Sequence, residues 1–404
     1  MKILVLSFYF EPDLSAGSFR STALVNALLE RLPPDVSVEV ITTAPNRYST
    51  FTVDVPATVQ RPRLTIRRIA LPAHKSGMVD QSRAFLAYAR EVLRLVRREK
   101  YGLVYATSSR LMTAVLGSWV ARKKHVPLYL DIRDIFLDTI KDVLPRKLAL
   151  IFRPAVAQLE RFAVTRATKI NLVSRGFTSY FQDRYPAAEY SFFTNGIDQE
   201  FVDASASRFE SEIRLEEQSE KRTGSRMPVA LYAGNMGEGQ GLHAIIPKLA
   251  QRMEGRVRFK LIGDGGRRGE LETMLAAQGI TNVEVLPPMN RQDLIKEYRN
   301  ADIMFLHLND YTAFKKVLPS KIFEYAATGK PIWAGVGGYA ADFLREYVEN
   351  VAIFPPCDVV AAIDAFSHID LDWTPRAEFV SKFSRHSISA AMAADVANVL
   401  GRNV

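Results

Sequence analysis

Residues 229–265 read VALYAGNMGEGQGLHAIIPKLAQRMEGRVRFKLIGDG. The stretch opens on an apolar run, Val229 to Ala233, and turns through Gly234, Gly237, Gly239 and Gly241. Leu242, Ile245, Ile246 and Leu249 then recur at helical spacing, and a second apolar run, Val257 to Ile262, ends in Gly263 and Gly265. Two short apolar runs joined by an amphipathic helix predict a strand–helix–strand unit with its strands parallel in one sheet.

The alternation continues toward the C-terminus through a helix over 267–278, VEVLPP, a helix over 291–299, DIMFLHL, a helix over 319–328 and PIWAG. Toward the N-terminus stands a second series: KILVLSF, a helix over 23–32, VSVEVIT, LTIRRIAL, a helix over 83–99, LVYAT, a helix over 110–123 and PLYLDI. Each series predicts a doubly wound, Rossmann-like α/β domain with helices on both faces of a parallel sheet. A chain of 404 residues, 48% of them hydrophobic, has enough apolar material for two cores. The polar stretch 205–226 reads as a linker with an exposed helix, which sets the expected domains at 1–200 and 201–385. Residues 386–404 form an Ala-rich amphipathic helix that needs an apolar surface, such as the first domain.

The start, MKILVLSFYFEPD, reads as a first strand rather than a secretory signal. No run approaches the roughly 20 apolar residues of a membrane-spanning helix. One cysteine, Cys357, excludes an internal disulfide, and the six histidines lack metal-ligand spacing, so a cytoplasmic protein without a metal is expected. Asp370-Leu-Asp372 has the Asp-x-Asp form of a metal motif but lies outside a nucleotide-binding unit and reads as a solvated turn. The net charge of +9 is uneven: residues 1–205 carry 29 Lys and Arg against 19 Asp and Glu. That excess suits an anionic surface or a phosphorylated substrate, while RNA-binding aromatic motifs and zinc-finger spacings are absent, which argues against nucleic acid.

Chemistry concentrates in residues 314–338, FKKVLPSKIFEYAATGKPIWAGVGG. Pro319 and Ser320 mark a helix start and Gly329 its stop, so Lys321 and Glu324 share one face near the helix N-terminus. An ammonium there suits a diphosphate, and a carboxylate one turn on can accept two ribose hydroxyls. A surface ion pair between residues i and i+3 is the simpler alternative. In the turn after Ala233, Gly234, Gly237 and Gly239 allow backbone amides to converge on an anion, although a tight turn by itself explains such glycines.

The segment Pro319-Ser-Lys-Ile-Phe-Glu-Tyr-Ala-Ala-Thr-Gly-Lys-Pro331 resembles the donor-binding motif of glycosyltransferase family 4, in the subset found in bacterial surface-polysaccharide assembly. Tyr232 to Leu242, Leu261 to Gly265 and Asn195-Gly-Ile-Asp198 extend the resemblance. It implies a GT-B fold of two Rossmann-like domains facing across a cleft, and retaining, metal-independent transfer from a nucleotide-diphosphate sugar. It assigns Lys321 and Glu324 to catalysis. It assigns Gly234, Asn235, Gly237, Gln240, Gly263, Lys316 and Ser320, together with Lys321 and Glu324, to the donor. Pro288 and Met289, after VEVLP, stand where family members cradle the nucleobase, with an ordinary loop as the alternative. Two departures stand out: Asn235 and Gln240 replace the Arg and Lys that many members carry in the glycine turn, and Lys316 replaces the first of two glutamates. In the first domain the resemblance places Gly17, in the loop Glu11 to Gly17, near the donor phosphates, with a plain helix cap as the alternative. Asp134, at the end of PLYLDIRD, or Asp138 beyond it, is the candidate to orient or deprotonate an acceptor hydroxyl, with a structural Arg133–Asp134 pair as the alternative.

The function expected is addition of a UDP-activated N-acetylated or deoxy hexose to a glycan or polyprenyl-diphosphate-linked acceptor. A nucleotide-sugar epimerase of GT-B fold, a dinucleotide-dependent oxidoreductase and a non-catalytic sugar-nucleotide-binding protein are the rival readings. Glycines 263, 265, 266 and 269 miss the Gly-x-Gly-x-x-Gly spacing that the oxidoreductase needs. The helix from Phe85 to Lys100 puts Phe85, Ala89, Val92, Leu93 and Val96 on one stripe and arginines off it. The stripe is most simply a core face and the arginines a solvated face; the arginines, with the basic stretch 144–166, also suit an anionic membrane, which would give peripheral attachment.

Overall fold

The computed structural model describes residues 1–13, 15–45, 55–71, 78–108, 110–138, 146–203 and 226–402. The chain divides into two units, one of Met1–Asn195 with Arg385–Val404 and one of Gly196–Ser384. The division falls at 195/196 and 384/385 rather than at 200 and 385. Most of the stretch 205–226, read as the linker, lies outside the described residues.

The first unit is built on an eight-stranded sheet: β1 (Lys2–Leu6), β2 (Ser37–Thr43), β3 (Thr58–Arg61), β4 (Leu64–Ile69), β5 (Leu103–Thr107), β6 (Leu128–Ile132), β7 (Lys169–Leu172) and β8 (Tyr190–Ser191). Their order is β3-β4-β2-β1-β5-β6-β7-β8, parallel throughout except for β3 against β4. The central strands are buried on both faces, as the unbroken burial of β5 and β6 shows, which is why they read as continuous apolar runs. The helices are α1 (Ala16–Arg31), α2 (Met78–Val96), α3 (Leu111–Lys124), α4 (Arg146–Val164) and α5 (Thr178–Arg184).

α1 starts about two turns before the expected residue 23, because Ser15 caps it by accepting a hydrogen bond from the Ser18 amide at 3.2 Å. The C-terminal helix Arg385–Gly401 packs on α1: Met392, Ala393, Val396 and Val399 join Leu24, Val25 and Leu28 in one core. Asp395 on that helix accepts from Lys169 Nζ at 2.6 Å and from Tyr129 OH at 2.8 Å.

The second unit holds β9 (Val229–Asn235), β10 (Arg258–Asp264), β11 (Val283–Leu286), β12 (Ile303–His307), β13 (Ile332–Gly335) and β14 (Val351–Phe354). The sheet order is β11-β10-β9-β12-β13-β14, all parallel. Its helices are α6 (Leu242–Arg252), α7 (Arg268–Ala277), α8 (Arg291–Asn300), α9 (Lys321–Ala327), α10 (Tyr339–Tyr347), α11 (Val359–Phe366) and α12 (Ala377–Lys382). Tyr232, Ile245, Leu249, Phe259, Phe305 and Trp333 form its core. The chain leaves β9 for β10 on one side, while β12 joins β9 on the other. This reversal opens a crevice at the carboxyl ends of β9 and β12, the place where such sheets bind ligands.

Candidate functional site

The glycine turn leaves β9 at this crevice. Gly234 has φ +142°, and a Cβ there would stand 2.3 Å from Cε and Nζ of Lys321. The glycine therefore makes room for the lysine to lie across the end of β9, with Nζ 5.7 Å from the Tyr232 ring centroid. Gly263, at φ +148°, is required for a second reason, since a Cβ would fall 1.8 Å from the Gly234 carbonyl oxygen. The ends of β9 and β10 approach too closely for a side chain.

Asn235 and Gln240 spend their side chains on the turn itself. Asn235 Nδ2 donates to Gln240 Oε1 at 2.7 Å, and the Gly237 amide donates to the same oxygen at 3.2 Å. The turn is also clamped from β12 and the chain beyond it: Asn309 N donates to Gly239 O at 2.9 Å, and Asn309 Nδ2 to Glu238 O at 2.9 Å. Glu238 accepts from Tyr311 OH and, at 2.5 Å, from Arg267 Nε. The first two amides of α6, those of Leu242 and His243, have no carbonyl partner among the described residues. They present the donors that a helix start leaves open.

Lys321 is the first residue of α9, as the motif suggests, but the preceding Ser320 makes no side-chain cap bond. Among the described residues no ion pair joins Lys321 to Glu324, which sets aside the simple surface pair. Burial lowers the Lys321 pKa, and the charge of Glu324 works in the opposite direction. Glu324 Oε2 accepts from Tyr298 OH at 3.1 Å, and Tyr298 is itself buried against the Tyr325 ring at 5.6 Å. Tyr325 OH accepts from the Ala233 amide at 2.9 Å. The short helix that carries the lysine and glutamate is thus tied directly to β9.

Gly234, Asn235, Gly237, Gln240, Gly263 and Lys321 gather at the end of β9, with Glu324 one turn farther along α9. Pro288 and Met289 follow β11, the edge strand, and Lys316 ends the single turn Thr312–Lys316. Gly17 and Asp134 belong to the other unit. Gly17 is the second residue of α1, beneath the guanidinium of Arg133. Asp134 is exposed just past β6. The buried ion pair there is Arg20 with Asp131 at 2.8 Å, and Asp134 adds an attraction to the neighbouring Arg133 guanidinium. Burial opposes the Asp131 charge, but Arg20 outweighs it and holds the carboxyl below its usual range. Asp370 and Asp372 form a turn in which the Asp372 amide donates to Asp370 Oδ1 at 3.0 Å.

Sequence reasoning missed Tyr298, Glu238 and His307. The last was signalled only as a single polar residue closing the apolar run of β12.

Residues 21–196 match the family described as glycosyl transferase 4-like domain, and residues 214–384 match glycosyl transferases group 1. The putative colanic acid biosynthesis glycosyl transferase WcaI of Escherichia coli (strain K12) is 26% identical over 183 residues, 43% of this chain and 43% of that protein. Among solved structures, sucrose-phosphate synthase from Thermosynechococcus elongatus aligns with a TM-score of 0.71 at 15% identity, covering 100% of both chains. Anabaena HepE, solved in complex with UDP, aligns with a TM-score of 0.57 at 18% identity, over 100% of this chain and 98% of that one. The two family matches together take in most of the chain, and the fold is the one these solved glycosyltransferase structures share: the chain joins a glycosyl transferase 4-like domain to a glycosyl transferases group 1 domain in a GT-B fold.

Proposed function

We propose that the protein moves a hexose, N-acetylated or deoxygenated and activated by UDP, onto a glycan or polyprenyl-diphosphate-linked acceptor in surface-polysaccharide assembly. The observation that carries the donor reading is Lys321 lying across Gly234 at the crevice of β9 and β12. A departing diphosphate needs positive charge and aimed amides more than it needs an acid. Lys321 supplies the charge, and the amides of Leu242 and His243 supply the dipoles. Glu324, oriented by Tyr298, is the acceptor for ribose hydroxyls. Charge stabilisation of this kind requires neither a metal nor a cofactor, and the reading includes retention of configuration. The HepE complex with UDP and the similarity to WcaI support the choice of nucleotide and of pathway class.

An anionic membrane is the proposed partner of the first unit, with the protein peripheral on the cytoplasmic face. Right-handed crossovers put α2, α3 and α4 on one face of the sheet, and α3 packs against both neighbours. That face exposes Leu86 (60%), Trp119 (40%) and Phe152 (41%). Over residues 83–100, 111–124 and 152–166 twelve Lys and Arg stand against Glu91, Glu99 and the buried Glu160. No helix among the described residues is long and apolar enough to cross a membrane.

Calorimetric titration with UDP, GDP and their sugars in EDTA tests the donor reading, with Lys321→Ala and Glu324→Ala alongside. Binding of one diphosphate that both substitutions abolish is the expected result. Unchanged binding in both variants would remove the assignment. Transfer to lipid-linked acceptors across a donor panel separates a transferase from an epimerase, which needs no acceptor.

A further inference from the structure

His307 ends β12 with its side chain wholly buried. Its Nδ1 lies 2.7 Å from the Gln240 carbonyl oxygen, and its Nε2 lies 3.0 Å from the Cys357 amide. A carbonyl only accepts and an amide only donates, so the contacts dictate one tautomer: the proton is on Nδ1 and the lone pair on Nε2. The ring has little freedom, since it stacks at 6.3 Å on Phe305, meets the tilted Phe354 ring at 6.2 Å, and a Cβ at Gly335 would stand 2.3 Å from its Cδ2.

The two partners are backbone groups of different segments. One is the last residue of the turn Glu238–Gln240, and the other is in the loop after β14. An apolar side chain would satisfy the surrounding aromatics without the cost of burying two ring nitrogens. The polar ring is thus accounted for by what it holds.

The geometry points to His307 as a positioning residue for the donor diphosphate. It fixes the Gln240 carbonyl, and with it the peptide that leads through Gly241 into α6, so that the amides of Leu242 and His243 stay aimed at the phosphates. The inference rests on the donor reading above. Among the described residues the titratable groups that face the ring are His243 on α6 and Cys357 beyond β14; neither replaces the Nδ1 contact.

His307→Asn and His307→Gln separate this role from packing. Asparagine puts its Nδ2 where Nδ1 stands and keeps the donation to Gln240. Glutamine puts its Oε1 near Nε2, keeps Cys357 and loses Gln240. UDP affinity by calorimetry, the KM for UDP-N-acetylglucosamine as probe, kcat and melting temperature are measured for each. The expected result is H307N within about threefold of the unsubstituted protein and H307Q weaker for UDP by about tenfold, the loss of one well-placed hydrogen bond. Equal UDP affinity in both variants at equal loss of melting temperature would make His307 a packing residue and overturn the proposal. Should neither variant fold, the imidazole Nδ1 proton of the unsubstituted protein is followed by NMR: a shift on adding UDP supports the role, and no shift refutes it. If the unsubstituted protein binds none of UDP, GDP or dTDP, the donor reading itself falls and takes this inference with it.

Discussion

Lys321 and Gly234 form a pair that neither residue explains alone: the lysine lies across the carboxyl end of β9 only because the glycine has no side chain. Burial lowers the lysine's pKa, so its charge is lost at a lower pH than that of an exposed lysine. UDP affinity should therefore fall on the alkaline side before free lysine titrates. Lys321→Arg, whose guanidinium keeps its charge, should move that fall upward if it binds at all. Titrating UDP between pH 7 and 10 checks this. His307 has the opposite consequence, on the acid side. Burial pushes its pKa down to about 4 from the ordinary 6.5. A depressed histidine pKa means the unfolded chain takes up the proton first, so this contribution to stability is complete above about pH 6.5 and is lost as pH falls through the window toward 4. The amount at stake is about 3 kcal/mol. Urea unfolding at pH 7.5 and pH 5 should show the loss, and His307→Asn should show less of it.

At the scale of elements, the first unit pairs a buried inner face with an outer face of mixed apolar and basic character. The stripe of α2 read from the sequence is its core side, with Phe85 at 7%, Val92 at 0% and Val96 at 3% exposure. Arg83, Leu86, Arg90, Arg94 and Arg97 form the exposed stripe. Because exposed Trp119 sits one helix away, with Lys123 Nζ 5.6 Å from its ring, insertion should be visible in its fluorescence. Cosedimentation with phosphatidylglycerol vesicles should exceed that with phosphatidylcholine vesicles and weaken with salt. Trp119→Glu with Leu86→Glu should abolish it while UDP binding persists. Equal binding to both vesicle types would remove the electrostatic component. The strands clearest in the sequence are the central ones buried on both faces, such as β5 and β6. β3 was not legible, since its residues are mostly exposed and only antiparallel pairing with β4 makes it a strand.

For the whole molecule, the C-terminal helix belongs to the first unit although the second precedes it in the chain. Removing residues 385–404 exposes Leu24, Val25 and Leu28 and leaves Lys169 without Asp395. Large apolar burial of this kind contributes several kcal/mol, so truncation should lower the thermal transition of the first unit. UDP binding by the second unit should survive, since Lys321, Glu324 and the amides of Leu242 and His243 all lie within 196–384. Calorimetric melting with and without UDP tests both halves, and loss of UDP binding on truncation would contradict the assignment.

The α/β alternation, the two doubly wound sheets and the motif around Lys321 were determined by the sequence itself, because periodicity and the turn residues are local properties. Local pattern also explains why the helical periodicity of α1 is legible only from Ala23: Gly17, Ser18, Arg20 and Ser21 before it are small or polar. Arg20 is buried only through Asp131, which follows it by 111 positions in the chain. The tertiary structure alone decided that Asn235 and Gln240 bind each other, that Gly234 houses a lysine, and that His307 joins the turn to the loop after β14. Each of these is a contact between segments distant in sequence or a side-chain choice between two partners. Hydrogen-bond geometry settles such choices only once the chain is folded.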